Sequence, residues 1–146
     1  MTEDSYPFQA KPLEMRYDFT SISDEKTVEK TVIFSQLTTD LFNVALLDVL
    51  ADGTLSDDLV VTNNQDLRTV MATVMRIIDD FLTRFPDRTV FFRGSDDRRT
   101  RLYQIVIGRE IDLIRQQFTV EGIIEQQIEQ FVINRLYSGF FISKNG

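Results

Sequence analysis

The sequence predicts an α+β fold: a mostly antiparallel sheet opened by N-terminal hairpins, with two principal helices, about 65–85 and 97–117, packed on one face. Three observations lead there. Runs 16–22 and 27–37 alternate apolar and polar residues, are rich in β-branched and aromatic side chains, and are separated only by Ser23, Asp24 and Glu25, the pattern of an antiparallel pair. Leu67, Val70, Met71, Val74, Ile77, Ile78, Phe81, Leu82 and Phe85 recur at three- and four-residue spacing, which puts them on one side of a helix. Strand-like and helix-like runs then alternate to the end of the chain, so helices layered on a sheet are expected.

Taken in order, residues 1–15 lack periodicity and contain Pro7 and Pro12. They are read as an extended arm, anchored by Tyr6, Phe8 and Leu13, ahead of a single domain over 16–146. Within the first hairpin Val28, Val32 and Phe34 mark the apolar side of the second strand. The run 41–50 is apolar except for Asn43 and Asp48; periodicity alone leaves strand and short helix open. Asp52-Gly53 favours the strand, because Asp-Gly suits the positive-φ positions of a type I′ hairpin turn. A return strand over 55–61 follows from that.

The helix over 65–85 has Asn63 or Asn64 as a cap, Asp66 in its first turn and Pro86 after its end, each where a helix favours it. Residues 88–93 form an unbroken apolar strand suited to a sheet interior. Ser95 or Asp96 can cap the second helix, whose apolar positions are Leu102, Tyr103, Val106, Ile107, Ile111, Ile114 and Phe118. Gly108 lies inside it, where glycine costs about 1 kcal/mol. Run 118–124 reads as a strand. Segment 125–137 is open, with Ile128, Val132 and Leu136 permitting a helix. A closing strand spans 139–143.

Composition bounds the chemistry. The 146 residues contain no histidine and no cysteine, so there is no imidazole base, thiolate nucleophile, disulfide or sulfur-ligated metal. No apolar run approaches the roughly 18–20 residues that span a bilayer, and the first 14 residues do not form a charged-then-apolar leader. A soluble, cytoplasmic protein without cofactor is expected. The net charge of −7 argues against general nucleic-acid binding.

That charge is uneven. Between Pro86 and Arg115 stand seven arginines and five acids, a local balance of +2 that leaves −9 elsewhere. Arginines outnumber lysines twelve to four, which favours fixed, forked pairing. The densest point is the turn from Arg93 to Arg101, with Arg93, Arg98, Arg99 and Arg101 in nine residues. Three of them fall in the first turns of a helix, where the dipole favours anions. Helix preference therefore does not explain them. Two readings remain: pairing with Asp87, Asp96 and Asp97, or an anion site built from guanidinium forks and free amides near Ser95. Tyr103 completes the candidate set as a ring that stacks on a ligand, or as a core residue at helical spacing with Ile107.

Other constellations are weaker. Asp57-Asp58, Asp79-Asp80 and Asp96-Asp97 are adjacent acids, and adjacent residues point apart on strands and helices, so no metal site is expected. Ser95 lacks both the Gly-x-Ser-x-Gly context and a base to activate it. Phe91-Phe92 and Phe140-Phe141 lack the basic pattern of RNA-binding aromatics and read as strand core.

Several of these stretches together, Leu41-Phe42-Asn43-Val44-Ala45, Asp48, Asp57-Asp58, Asn63-Asn64, Asp66, Met71-Ala72-Thr73-Val74, and above all Gly94-Ser95 followed by Arg99-Thr100-Arg101-Leu102-Tyr103, resemble a family of small bacterial proteins of unknown function. The likeness runs over about 17–142. It implies a bacterial single domain of this length, with no catalytic residues to carry over.

The expected function is a non-enzymatic macromolecular interaction or regulatory role, antitoxin-like or immunity-like, with a protein partner at Arg93, Ser95, Arg98, Arg99, Arg101 and Tyr103. The alternative is a module for phosphate, nucleotide or nucleic-acid ends using the same arginines, including a Mg²⁺-dependent phosphodiesterase built on Asp48, Asp57, Asp58 and Arg101. A homodimer through an edge strand or the Phe-rich C-terminus is a further expectation.

Overall fold

The computed structural model describes residues 5–23, 26–57 and 64–146. Alternation in the opening runs produces β1 (Phe8–Lys11), β2 (Arg16–Ile22) and β3 (Thr27–Gln36), joined antiparallel, with β4 (Leu41–Val49) antiparallel to β3. After β5 (Leu55–Asp57) come helix α1 (Asn64–Arg84), β6 (Thr89–Phe92), helix α2 (Asp97–Arg109), one-turn helix α3 (Ile111–Ile114), β7 (Phe118–Ile124), β8 (Gln127–Gln130) and β9 (Gly139–Lys144). The fold is α+β, with one large sheet in the order β1-β2-β3-β4-β6-β9-β7-β8 and β5 on β4.

Among these pairings only β4 with β6 is parallel. A parallel pair needs a long crossover, and α1 lies in that connection. β4 divides its far edge between two neighbours: Leu41 to Val44 pair with β6, and Leu47 to Val49 pair with β5. The turn into β5 differs from the expected two-residue type I′ form. Leu50 N donates to Thr54 O and Gly53 N to Leu50 O, both at 2.8 Å, and only Gly53 has positive φ, at 86°. This is a three-residue loop with glycine at its left-handed position. Asp52 accepts from Thr54 N and Oγ1, which holds it. The rest of the expected return strand, 58–61, and the cap at Asn63 lie outside the described residues, as does the side chain of Asn64.

The register lines up the core. Phe34 opposes Val44, Val44 opposes Phe92, and Phe92 opposes Phe140; the next row is Phe42, Val90, Ile142 and Val120. All eight are buried. Phe81 of α1 stacks on Phe34 at 4.0 Å, and Tyr103 of α2 stacks on Phe92 at 5.4 Å. Aromatic stacking of this kind adds about 0.5–1.5 kcal/mol to the burial of the rings. Strand β1 extends the sheet. Phe8 packs edge-on against Tyr17, and Tyr6 bridges sheet and helix, its N–H donating to Thr73 Oγ1 and its hydroxyl to Asp66. Leu13, expected as a third anchor, is fully exposed.

One expectation changes, and one open segment is decided. The second helix ends at Arg109 instead of running to 117: Glu110 sits at φ −109°, ψ 10° with its N–H on Ile107 O, and the chain restarts as α3. Gly108 weakens the helix two residues earlier, and the break still leaves Ile111 and Ile114 buried. Segment 125–137 is not a helix. Glu125 and Gln126 take positive φ of 50° and 67° and turn β7 directly into β8. The residues that suggested a helix, Ile128, Val132 and Leu136, are exposed, whereas Phe131 and Tyr137 are buried.

Candidate functional site

The arginine turn begins where β6 ends. Gly94 is required there, because a Cβ would lie 2.6 Å from both Arg99 Cβ and Thr100 N. Its N–H donates to Thr100 Oγ1 at 3.0 Å, and that hydroxyl donates to Asp96 O at 2.9 Å. The buried Thr100 thus fastens the turn to the helix it precedes. Asp96, extended at φ −145°, is the N-cap; its Oδ1 accepts from Arg99 N at 2.8 Å. Its Oδ2 takes Arg99 Nη1 at 2.5 Å. A cap of this kind contributes about 1 kcal/mol.

One carboxylate therefore holds both the amide and the guanidinium of Arg99. Ser95 is exposed and not the cap; it accepts only a long contact of 3.4 Å from Arg99 Nη1. Arg98 and Arg101 are exposed on the first turns of α2, and neither forms an ion pair among the described residues. Arg93 stands apart, exposed, with its guanidinium 5.8 Å from the Phe91 ring. Tyr103 is 1% exposed, lying under the helix against Phe92. So the structure gathers Ser95, Asp96 and Arg99 into a self-paired corner. It places Arg98 and Arg101 in solvent beside that corner, Arg93 on the sheet and Tyr103 in the core.

The acidic pairs do not converge. Asp79 accepts from Lys144 at 2.7 Å, whereas Asp80 accepts from Tyr17 at 2.7 Å and pairs with Arg84 at 3.1 Å. Burial and then the Asp80 bond push the Tyr17 hydroxyl well above its ordinary pKa. Asp48 is buried against Lys30 at 2.6 Å. Asp58 lies outside the described residues, as does the side chain of Asp57. Among the described residues no group of three acids is placed to hold a metal ion, and no helix is long and apolar enough to cross a membrane.

A feature that sequence reasoning missed lies on the far side of Arg101. A cleft of about 730 Å³ opens between α2, α3 and the segment after β8, with Arg101, Ile105, Arg109 and Asp112 on one wall and Ile133 and Leu136 on the other. The second wall is pinned from beneath. Gln104 Oε1 accepts from Tyr137 N at 3.1 Å, and Gln104 Nε2 donates to Arg135 O. Arg115 Nη2 donates to Phe131 O. The Tyr137 hydroxyl donates to Glu129 at 2.8 Å and accepts from Val132 N at 3.0 Å. Burial and then the Glu129 bond raise its pKa.

This sheet, with its capped arginine turn and adjoining cleft, spans nearly the whole sequence, and so does the family match: a sequence profile described as a family of unknown function, DUF6934, covers residues 2–145. The chain belongs to DUF6934. No curated protein and no solved structure matches it. In this DUF6934 member a signal for the first cleft wall was legible but passed over: Arg101, Ile105 and Arg109 repeat at four-residue spacing in a helix-like run. The second wall was not, because it depends on a hairpin that carries no glycine in its turn.

Proposed function

We propose that this DUF6934 member is a non-enzymatic interaction or regulatory protein of the bacterial cytoplasm, antitoxin-like or immunity-like, that engages an acidic partner through the exposed arginines at the start of α2. The observation that carries this reading is the contrast between Arg99 and its neighbours. Arg99 is matched by Asp96, whereas Arg98 and Arg101 reach solvent on the helix end that disfavours cations. The proposal also takes both helices to cover one face of the sheet, in keeping with the shared row of Phe34 and Phe92 beneath Phe81 and Tyr103.

The phosphate-binding alternative has less support. A phosphate at this corner would compete with Asp96 for the Arg99 amide and guanidinium, which leaves it only the two exposed side chains of Arg98 and Arg101. An Arg98→Ala, Arg101→Ala variant separates the readings. Affinity capture from cells of the source organism should lose the partner while the melting temperature stays within about 2 °C of wild type, as surface substitutions usually cost under 0.5 kcal/mol. A midpoint raised by phosphate, nucleotides or Mg²⁺ in wild type and not in the variant would favour the alternative, since a ligand at 100 times its Kd adds about 2.7 kcal/mol.

A further inference from the structure

We infer that the cleft beside α2 is a docking groove for a short extended segment of a partner protein in which two acidic residues flank an apolar one, in the order acid–x–apolar–x–acid. This rests on the reading of the chain as a binder of acidic protein partners; it extends the contact from Arg101 into the cleft and assigns a sequence pattern that the reading lacks.

Charge points to an acidic occupant. Arg101, Arg109 and Arg135 line the cleft against Asp112 alone, in a chain whose net charge is −7. Arg135 is partly compensated, with its Nε 3.4 Å from Glu129. Arg101 and Arg109 form no ion pair among the described residues. Arg109 has a local reason to be where it is, since cations suit the last turn of a helix; Arg101 has none.

Spacing points to an extended chain. Arg101, Ile105 and Arg109 are four residues apart and follow one another along α2, at steps of about 6 Å from the helical rise. Same-side residues of an extended strand repeat every roughly 6.6 Å. An acid, an apolar residue and an acid on one side of a strand therefore meet Arg101, Ile105 and Arg109 in turn. A compact phosphate needs forks that converge on one point, whereas these two guanidiniums flank an isoleucine.

The apolar part of the pattern has its own receptor. Ile105, Ile133 and Leu136 are 45%, 54% and 62% exposed around the opening. An apolar residue placed between such side chains on the two walls of a groove is removed from water. The groove is formed in advance, because Gln104 and Arg115 tie the opposite wall to the helices, so little ordering opposes binding. Asp112 limits the charge: a longer acidic run would meet it and be repelled.

The test is fluorescence anisotropy of the full chain with a labelled Ser-Glu-Ser-Leu-Ser-Glu-Ser peptide, beside versions with both Glu changed to Gln or with Leu changed to Ser. Wild type should bind the parent peptide saturably and both altered peptides at least tenfold more weakly. Arg109→Gln and Ile105→Ser should each weaken the parent about tenfold, equivalent to about 1.4 kcal/mol, while Arg76→Gln, exposed on α1 away from the cleft, leaves it unchanged. Circular dichroism checks that each variant is folded. Absence of saturable binding at millimolar peptide, equal affinity for the Leu-to-Ser peptide, or displacement by inorganic phosphate with no dependence on Ile105 would overturn the inference. If the peptide fails while Arg98→Ala, Arg101→Ala still loses its captured partner, the cleft assignment falls alone. If that capture is also unaffected, the interaction reading falls with it.

Discussion

Lys30 Nζ lies 2.6 Å from Asp48 Oδ1, with only 1% and 3% of the two side chains exposed, at directly opposed positions of β3 and β4. Both groups make further polar contacts. Each occupies a core-facing position, in phase with Val32 and Phe34 on one strand and Val44 and Leu46 on the other. A one-residue slip would turn one strand's side chains to the opposite face and separate the two charges, so the pair specifies register as well as filling space.

Lys30→Met is therefore expected to cost about 3–5 kcal/mol, the usual penalty for breaking a buried ion pair by removing one partner. Asp48→Leu should cost a similar amount. The double variant should be less destabilised than the two singles added together, with a coupling of about 2 kcal/mol. Urea unfolding of the four proteins measures this. Additive losses would mean that each side chain answers to other partners and not to its opposite.

That pair also shows what the sequence makes legible. Alternation placed the strands β2 and β3 with little error, because half-buried antiparallel strands write their burial into a two-residue period, whereas β4, nearly continuous in apolar residues, was placed by the Asp52-Gly53 turn after it. Lys30 and Asp48 interrupt that period in the apolar phase, and the two interruptions are each other's partner. Helix α1 was legible for the complementary reason: its stripe is wide and is closed by Pro86. The break at Glu110 was not, since Ile111 and Ile114 keep the helical spacing across it. In 125–137 exposed apolar residues imitated a helix, and the two residues that define the hairpin turn are Glu and Gln.

At the candidate site Gly94-Ser95 marked the junction, but the sequence left the cap open between Ser95 and Asp96, and the structure gives it to Asp96. What local pattern could not supply was which arginine Asp96 would take. Asp96 reaches Arg99, three residues on, and leaves Arg98 and Arg101 exposed. Arg135 joined the cleft only through the hairpin fold.

The β7–β8 turn is a direct test of local strain. Glu125 and Gln126 hold φ of 50° and 67°, a conformation that costs residues with a Cβ about 1–2 kcal/mol each. Asn-Gly is the pair that a type I′ turn favours. The double substitution Glu125→Asn, Gln126→Gly should raise stability by about 1 kcal/mol, or the melting temperature by about 3 °C. Differential scanning calorimetry reads the change. A lower midpoint would mean that the Glu125 and Gln126 side chains stabilise the hairpin by more than their backbone costs.

Asp18 connects the sheet's first three strands to pH. Burial pushes its carboxyl up, but hydrogen bonds from Arg16, Thr31 and Lys11 outweigh this and hold the pKa below the ordinary value; Arg16 Nε is at 2.7 Å and Lys11 Nζ at 2.9 Å. A carboxyl with a depressed folded pKa binds fewer protons folded than unfolded, so its contribution is present above the unfolded value of about 3.9 and is lost as pH falls through the folded one. The side chain is 23% exposed, which keeps the expected contribution to about 1 kcal/mol. Asp18→Asn should therefore destabilise the protein at pH 7 and approach wild type near pH 2. High salt should narrow the neutral-pH gap, because both cations are partly exposed and screened. Chemical denaturation at pH 7, 4 and 2.5 traces the convergence. A gap independent of pH would assign the loss to packing on the sheet and not to the carboxylate's charge.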